Sequence, residues 1–336
     1  MATIAVIGGA GFIGFRLCSL LLARDRTVRS IDSRPNAAET SSASPHLTNH
    51  VIDIRDLAAL TDVLKGADSI INLAAVHRDD VRPISLYDEV NVQGSRNVCE
   101  AARRNGIRQI IFTSSVAVYG FSPRNTDETG ELNYFNDYGR TKAEAEGIYR
   151  TWQSEDPDRS LVIIRPTVVF GEANRGNVYN LLAQIASGRF LMVGNGKNVK
   201  SMAYVENVAA FAAHSLSFGP GVHLYNYVDK PDMTMNQLVS LADRVLGRNG
   251  KKRIRFPYWL GYTGGLLADL AARITGRTFA ISSIRVKKFC SDTQFAADHA
   301  LGSGFLPPVD LGGGLERTIR YEFVEDHAGE RTFETE

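Results

Sequence analysis

The sequence predicts an α/β protein: a doubly wound parallel sheet followed by a smaller α/β domain toward the carboxy end. Three observations predict it. Short β-branched runs alternate with segments of helical periodicity, a glycine-rich turn joins the first run to the first helical segment, and the rhythm loosens after residue 165. The 336 residues, 44% hydrophobic and 22% charged, suit one sizeable core with a companion and argue against disorder.

Residues 4–7, 27–31, 69–73, 109–113 and 161–164 read as strands, and another strand ends at Ile52. Between them, 12–23, 88–104 and 139–153 read as helices. Strands and helices in that alternation make parallel crossovers, with helices on both faces of the sheet. Farther on, 177–188, 235–246 and 260–274 read as helices, separated by turns such as Gly219-Pro220, Lys230-Pro231 and Phe256-Pro257. The stretch 259–275 carries Asp269 and Arg273, so it reads as an amphipathic helix over the core and not as a membrane span. Lys251, Lys252, Arg253 and Arg255 alternate with Ile254 and Phe256, as on the outer side of a strand. Residues 37–44 read as a solvated loop, and 326–336 as a frayed polar tail.

Composition excludes several classes. Lys plus Arg at 38 against Asp plus Glu at 37 leaves +1, so neither nucleic acid nor a membrane is an expected partner. Cys18, Cys99 and Cys290 form no CxxC pair, so neither a disulfide framework nor a metal site is expected, and a reducing cytoplasm fits. The first apolar run meets glycine too early to be the core of an export signal.

The turn VIGGAGFIG sets Gly8, Gly11 and Gly14 between strand and helix. The first permits a tight turn, the second admits a pyrophosphate close to the backbone, and the third lets helix and strand pack closely. The helix amino terminus adds unpaired N–H groups and about half a positive charge. Asp32 ends the second strand, where a carboxylate accepts both ribose hydroxyls of an adenosine and repels a 2′-phosphate, favouring NAD. Arg34 keeps NADP open. Asp53 and Ile54 are candidates to flank the adenine. Residues 1–170 are therefore expected to be a Rossmann-type NAD(P)-binding domain, and 171–325 mainly a substrate domain.

In DYGRTK, Tyr138 and Lys142 lie four apart on an expected helix and share a face. An ammonium near a phenol favours the phenolate by up to about three pKa units, which would bring Tyr138 toward neutrality. Ser114 and Ser115 end the fifth strand at the carboxyl edge where ligands sit, and Ser115 is the candidate to hold a substrate oxygen.

The sequence resembles the extended short-chain dehydrogenase/reductase family, in its nucleotide-sugar epimerase and reductase branch. The motifs that carry the resemblance are GGAGFIG at 8–14, NLAA at 72–75, LYDEVNVQGSRNV at 86–98, SSVAVYG at 114–120, YGRTK at 138–142 and RPTVVFG at 165–171. It implies Ser115, Tyr138 and Lys142 as the catalytic trio. It also implies cofactor contacts at Phe12, Ile13, Leu73, Ala74, Ala75 and Asn91, with Tyr138 and Lys142 again on the nicotinamide ribose side. Asn177 and Lys200, and at lower rank Arg285, match positions that hold a substrate diphosphate. His77 follows the fourth strand and is a candidate for the sugar pocket. A homodimer through the helices at 88–104 and 139–153 is implied too.

Val116 and Ala117 follow Ser115 where dehydratases and decarboxylases of the family carry acids, so redox chemistry at one carbinol is left. The expected activity is NAD-dependent 4-epimerisation of a nucleotide sugar, a UDP-hexose or UDP-N-acetylhexosamine, through a 4-keto intermediate. Single reduction of a UDP-4-keto-6-deoxy sugar, a hydroxysteroid-type dehydrogenase and a cofactor-sensing binding module stand as alternatives. Two departures bear on the substrate: Arg165-Pro166-Thr167-Val168 lacks the Asn of epimerase relatives, and Lys200 replaces an arginine.

Overall fold

Residues alternating along each early strand face opposite sides, and both sides are apolar. In Thr3–Ile7 (β1), Ile4 and Val6 enter one core while Ala5 and Ile7 enter another. A computed structural model describes residues 1–35, 44–78, 81–248, 255–275 and 283–334. The segment 37–43 and the cluster Lys251, Lys252 and Arg253 lie outside the described residues.

After β1 come Phe12–Ala23 (α1), Thr27–Asp32 (β2), Leu47–Val51 (β3), Leu57–Val63 (α2), Ser69–Asn72 (β4), Gly94–Asn105 (α3), Gln109–Thr113 (β5), Asp137–Ser154 (α4) and Ser160–Pro166 (β6). The second half adds Val168–Phe170 (β7), Asn177–Ala186 (α5), Met192–Val193 (β8), Val199–Lys200 (β9), Met202–Tyr204 (β10), Val205–His214 (α6) and Gly221–Tyr227 (β11). Met233–Thr234 (β12), Met235–Val245 (α7), Arg255–Phe256 (β13), Tyr258–Thr275 (α8), Ser283–Cys290 (α9), Asp298–Gly302 (α10) and Leu311–Phe323 (α11) complete it.

Seven strands form a parallel sheet in the order β11-β6-β5-β4-β1-β2-β3. Helices α1 and α6 cover one face with Leu17, Leu21, Val208 and Phe211. On the other, α3 and α4 bring Val98, Ala101, Ala145, Tyr149 and Trp152. The expected doubly wound fold is present. The chain runs outward from β1 to β3 and then crosses to β4, so the crevice between the carboxyl ends of β1 and β4 is the topological switch point.

Three expectations need amendment. The layers do not divide at residue 170, because α6 and β11 return to the large sheet. The helix expected over 88–104 opens with a π-helical turn, Tyr87–Gln93, before α3. Residues 326–333 are no frayed tail: the Phe333 N–H donates to the Ala173 carbonyl at 2.8 Å, and the Phe333 ring is buried against Phe12 and Phe15. A polar sequence hid one aromatic anchor.

Candidate active site

The glycine turn sits at the switch point. Gly8 has φ +84°, and a Cβ there would come within 2.8 Å of the Ala74 nitrogen; on Gly14 it would run into the Gly8 carbonyl oxygen. Gly11 is the N-cap of α1; no side chain caps the helix and its first turn holds no acid, which leaves the first N–H groups open to an anion. Phe12 and Ile13 begin that turn.

Asp32, at the tip of β2, is nearly buried and accepts from the Ala10 N–H at 3.1 Å and the Arg34 N–H at 3.0 Å. The Arg34 guanidinium stands 3.6 Å from it, largely in solvent. Asp53 accepts from Arg55 at 2.7 Å, and this hydrogen bond holds its carboxyl below the usual range. Ile54 is buried against Gly94.

Asn72, Leu73, Ala74 and Ala75 lead from β4 along the crevice. Asn91 lies in the π-helical turn and is buried. Its amide donates to the Val76 carbonyl at 2.9 Å and to Thr141 Oγ1 at 3.0 Å, while its oxygen accepts from the Val76 N–H at 2.8 Å. Asn91 thus ties the loop after β4 to the helix carrying Tyr138 and Lys142.

That helix, α4, is capped by Asn136, whose oxygen accepts from the Gly139 N–H at 2.9 Å. Tyr138 therefore lies in the first turn, where the helix end favours an anion. Lys142 is 2% exposed; its ammonium donates to the Thr113 carbonyl at 2.7 Å and lies 4.7 Å from the Phe112 ring centre. Ser114 is occupied in the core, donating to Glu146 at 2.5 Å, whereas Ser115 stays at the strand end with its oxygen accepting from the Ala117 N–H. His77 faces Tyr138 edge-on, ring centres 6.5 Å apart.

Burial dominates the electrostatics. It pushes the Tyr138 phenol up to about 12, opposed by Ser115, and the Lys142 ammonium down to about 7, opposed by Glu146. This corrects the expectation of a phenol near neutrality in the protein alone. The Lys142 ammonium is directed at the Thr113 carbonyl.

Two sets of residues escaped the sequence reading. Glu146, four positions after Lys142 on the same face, accepts from Arg165 at 2.6 and 2.8 Å in a buried pair, and Arg165 donates to the Tyr119 hydroxyl at 2.6 Å. Its spacing was a usable signal. Arg331 donates to the Ala10 carbonyl at 2.6 Å and feels both Arg34 and Asp32, so the carboxy-terminal segment closes on the glycine turn. Nothing in the sequence pointed there.

The candidate substrate residues are placed differently. The Lys200 ammonium donates to the Ser291 carbonyl at 2.7 Å, and burial brings it down to about 8. Asn177 opens α5, exposed. Arg285 falls in α9, but its side chain lies outside the described residues. Val168 is 40% exposed.

An uncapped helix end, a crowded glycine cradle and a strand-tip carboxylate fit a dinucleotide, and the helix with buried Lys142 and half-buried Tyr138 stands beside them. Fold and site define an NAD-dependent epimerase of the extended short-chain dehydrogenase/reductase type. The chain belongs to the NAD dependent epimerase/dehydratase family, whose model matches residues 4–226. It is 48% identical over 335 residues, 99% of each chain, to N-acetyl-alpha-D-glucosaminyl-diphospho-ditrans,octacis-undecaprenol 4-epimerase of Escherichia coli O157:H7. It is 29% identical over 338 residues, 95% of this chain and 94% of the other, to UDP-glucose 4-epimerase of Vibrio cholerae. Among solved structures, UDP-glucuronic acid 4-epimerase from Bacillus cereus in complex with NAD shares the fold at TM-score 0.73 and 20% identity, covering 95% of this chain and 98% of that one.

Proposed function

We propose that the protein inverts C4 of an N-acetylhexosamine whose diphosphate is carried on a polyprenyl chain. The observation that carries this reading is the 48% identity, end to end, to an epimerase named for a diphospho-undecaprenol sugar. A nucleotide sugar is the second reading, favoured by the UDP-glucose epimerase relative.

In this mechanism Ser115 and Tyr138 hold the C4 oxygen, and Tyr138 takes its proton. NAD, held by the glycine turn and Asp32, would supply the hydride acceptor and donor for C4 and a positive charge that favours the Tyr138 phenolate. Lys142 orients the nicotinamide ribose from its seat on the Thr113 carbonyl. Asn91 is a positioning residue that keeps α4 in register with the loop after β4. For the return step Tyr138 would give the proton back to the C4 oxygen once the 4-keto sugar has turned its other face to the hydride donor. Asp32 selects NAD through the adenosine ribose. The protein works as a homodimer through α3 and α4, and its free thiols Cys18, Cys99 and Cys290 favour the cytoplasm.

The test supplies N-acetylglucosamine diphosphate on a short prenyl alcohol, and UDP-N-acetylglucosamine in parallel. The expected outcome is interconversion of the prenyl substrate with no net change in NAD(H) absorbance. Turnover of the UDP-sugar alone would establish the second reading. Tyr138→Phe should retain NAD and lose about 10²–10⁴-fold in kcat.

A further inference from the structure

Helix α8 should cover a core, yet much of its apolar surface faces out. Tyr258, Trp259, Leu266 and Leu267 are 43%, 65%, 47% and 68% exposed. Their spacing puts them on one side of the helix, continued by Tyr262, whose ring stacks on Tyr258. Asp269 lies on the same side, one turn beyond Leu266, and marks where that side meets α9, accepting from the Ser283 N–H and hydroxyl at 3.1 and 2.5 Å. A second exposed apolar pair, Phe121 stacked on Phe135, lies at the rim of the site, three residues before Tyr138. Lys287 of α9 joins the two surfaces, its ammonium 5.6 Å from the Phe121 ring centre.

Charge follows the same stretch. Residues 248–290 contain ten Lys or Arg and one carboxylate, whereas the whole chain is only +1. The balanced total conceals a strongly basic segment around an apolar helix. Among the described residues no helix is long and apolar enough to cross a membrane. An outward apolar face on a helix that does not span, within a strongly basic stretch of sequence, is the pattern of a segment lying in the headgroup layer.

We propose that α8, with the Phe121–Phe135 rim, docks on an anionic bilayer and turns the mouth of the site toward lipid-borne substrate. The proposal rests on the polyprenyl reading of the substrate. It replaces the expectation that no membrane partner exists: the chain lies on the bilayer without crossing it.

The test sediments the full chain, NAD-loaded, with vesicles of phosphatidylethanolamine containing about a quarter phosphatidylglycerol, and with neutral phosphatidylcholine vesicles. The parent should sediment with the anionic vesicles, less with the neutral ones, and less again at high salt. Trp259→Glu with Leu267→Glu should weaken sedimentation at least about ten-fold while leaving turnover of a water-soluble short-prenyl substrate unchanged. Should that variant lose NAD or fold, Arg255→Glu with Lys287→Glu must still reduce binding to anionic vesicles only. Parent protein that stays in the supernatant, or variants that sediment like the parent, overturn the proposal. So does a parent that ignores vesicles but dissociates when Trp259 and Leu267 are changed, since the face is then a subunit contact. Turnover of polyprenyl substrate without sedimentation removes the docking and spares the substrate reading. Sedimentation with turnover of UDP-sugar alone does the reverse.

Discussion

Lys142 shows how one side chain couples folding to chemistry. Its ordinary pKa of 10.5 falls to about 7 in the fold, chiefly through burial. Between those values the unfolded chain holds a proton that the folded chain lacks. Stability through this group therefore rises with pH from about 7 to 10.5, by at most about 1.4 kcal/mol per pH unit. Thermal melts of the cofactor-free protein should show that slope, and Lys142→Met should flatten it. Glu146 acts on the same ammonium in the opposite sense. Glu146→Gln leaves the buried Arg165 guanidinium with Tyr119 but without its carboxylate, which should cost about 3–5 kcal/mol in denaturant titrations and lower the Lys142 pKa further.

At the scale of elements, the glycine turn and the carboxy-terminal segment work on one place. Gly14→Ala forces the start of α1 away from the Gly8 carbonyl, so it should cost about 1–3 kcal/mol and strip NAD from the purified protein. Truncation after Glu330 removes Arg331 from the Ala10 carbonyl and Phe333 from its seat on Phe12 and Phe15. Loss of that buried ring should cost about 3 kcal/mol, visible as a lower Tm, with weaker NAD retention than in the parent. The π-helical turn at Tyr87–Gln93 belongs here as well: it carries the buried Asn91 that pins the loop after β4.

For the whole molecule, α3 and α4 lie side by side on one sheet face, with Arg96, Arg104, Glu144 and Arg150 exposed along them. Light scattering at micromolar concentration should give twice the mass of one 36.9 kDa chain; a monomer would reject the proposed pairing. The outward face of α8 is the proposed bilayer contact and lies more than a hundred residues after α4, so vesicle binding and dimerisation should respond to different substitutions.

The sequence by itself determined the doubly wound sheet, because strand and helix periods are local and the glycine turn announces the crossover that follows. It also pointed to the cofactor class through Gly8 and Asp32, and it nominated the proposed trio by placing Tyr138 and Lys142 on one expected helix face and Ser115 at a strand end. Only the tertiary structure decided what depends on burial and on contacts distant in sequence. It separated Ser114, held by Glu146, from Ser115, and drove the Tyr138 and Lys142 pKa values away from each other. It also brought Arg331 321 residues back to Ala10 and left α8 partly uncovered. Desolvation and long-range closure are properties of packed volume, which no local pattern encodes.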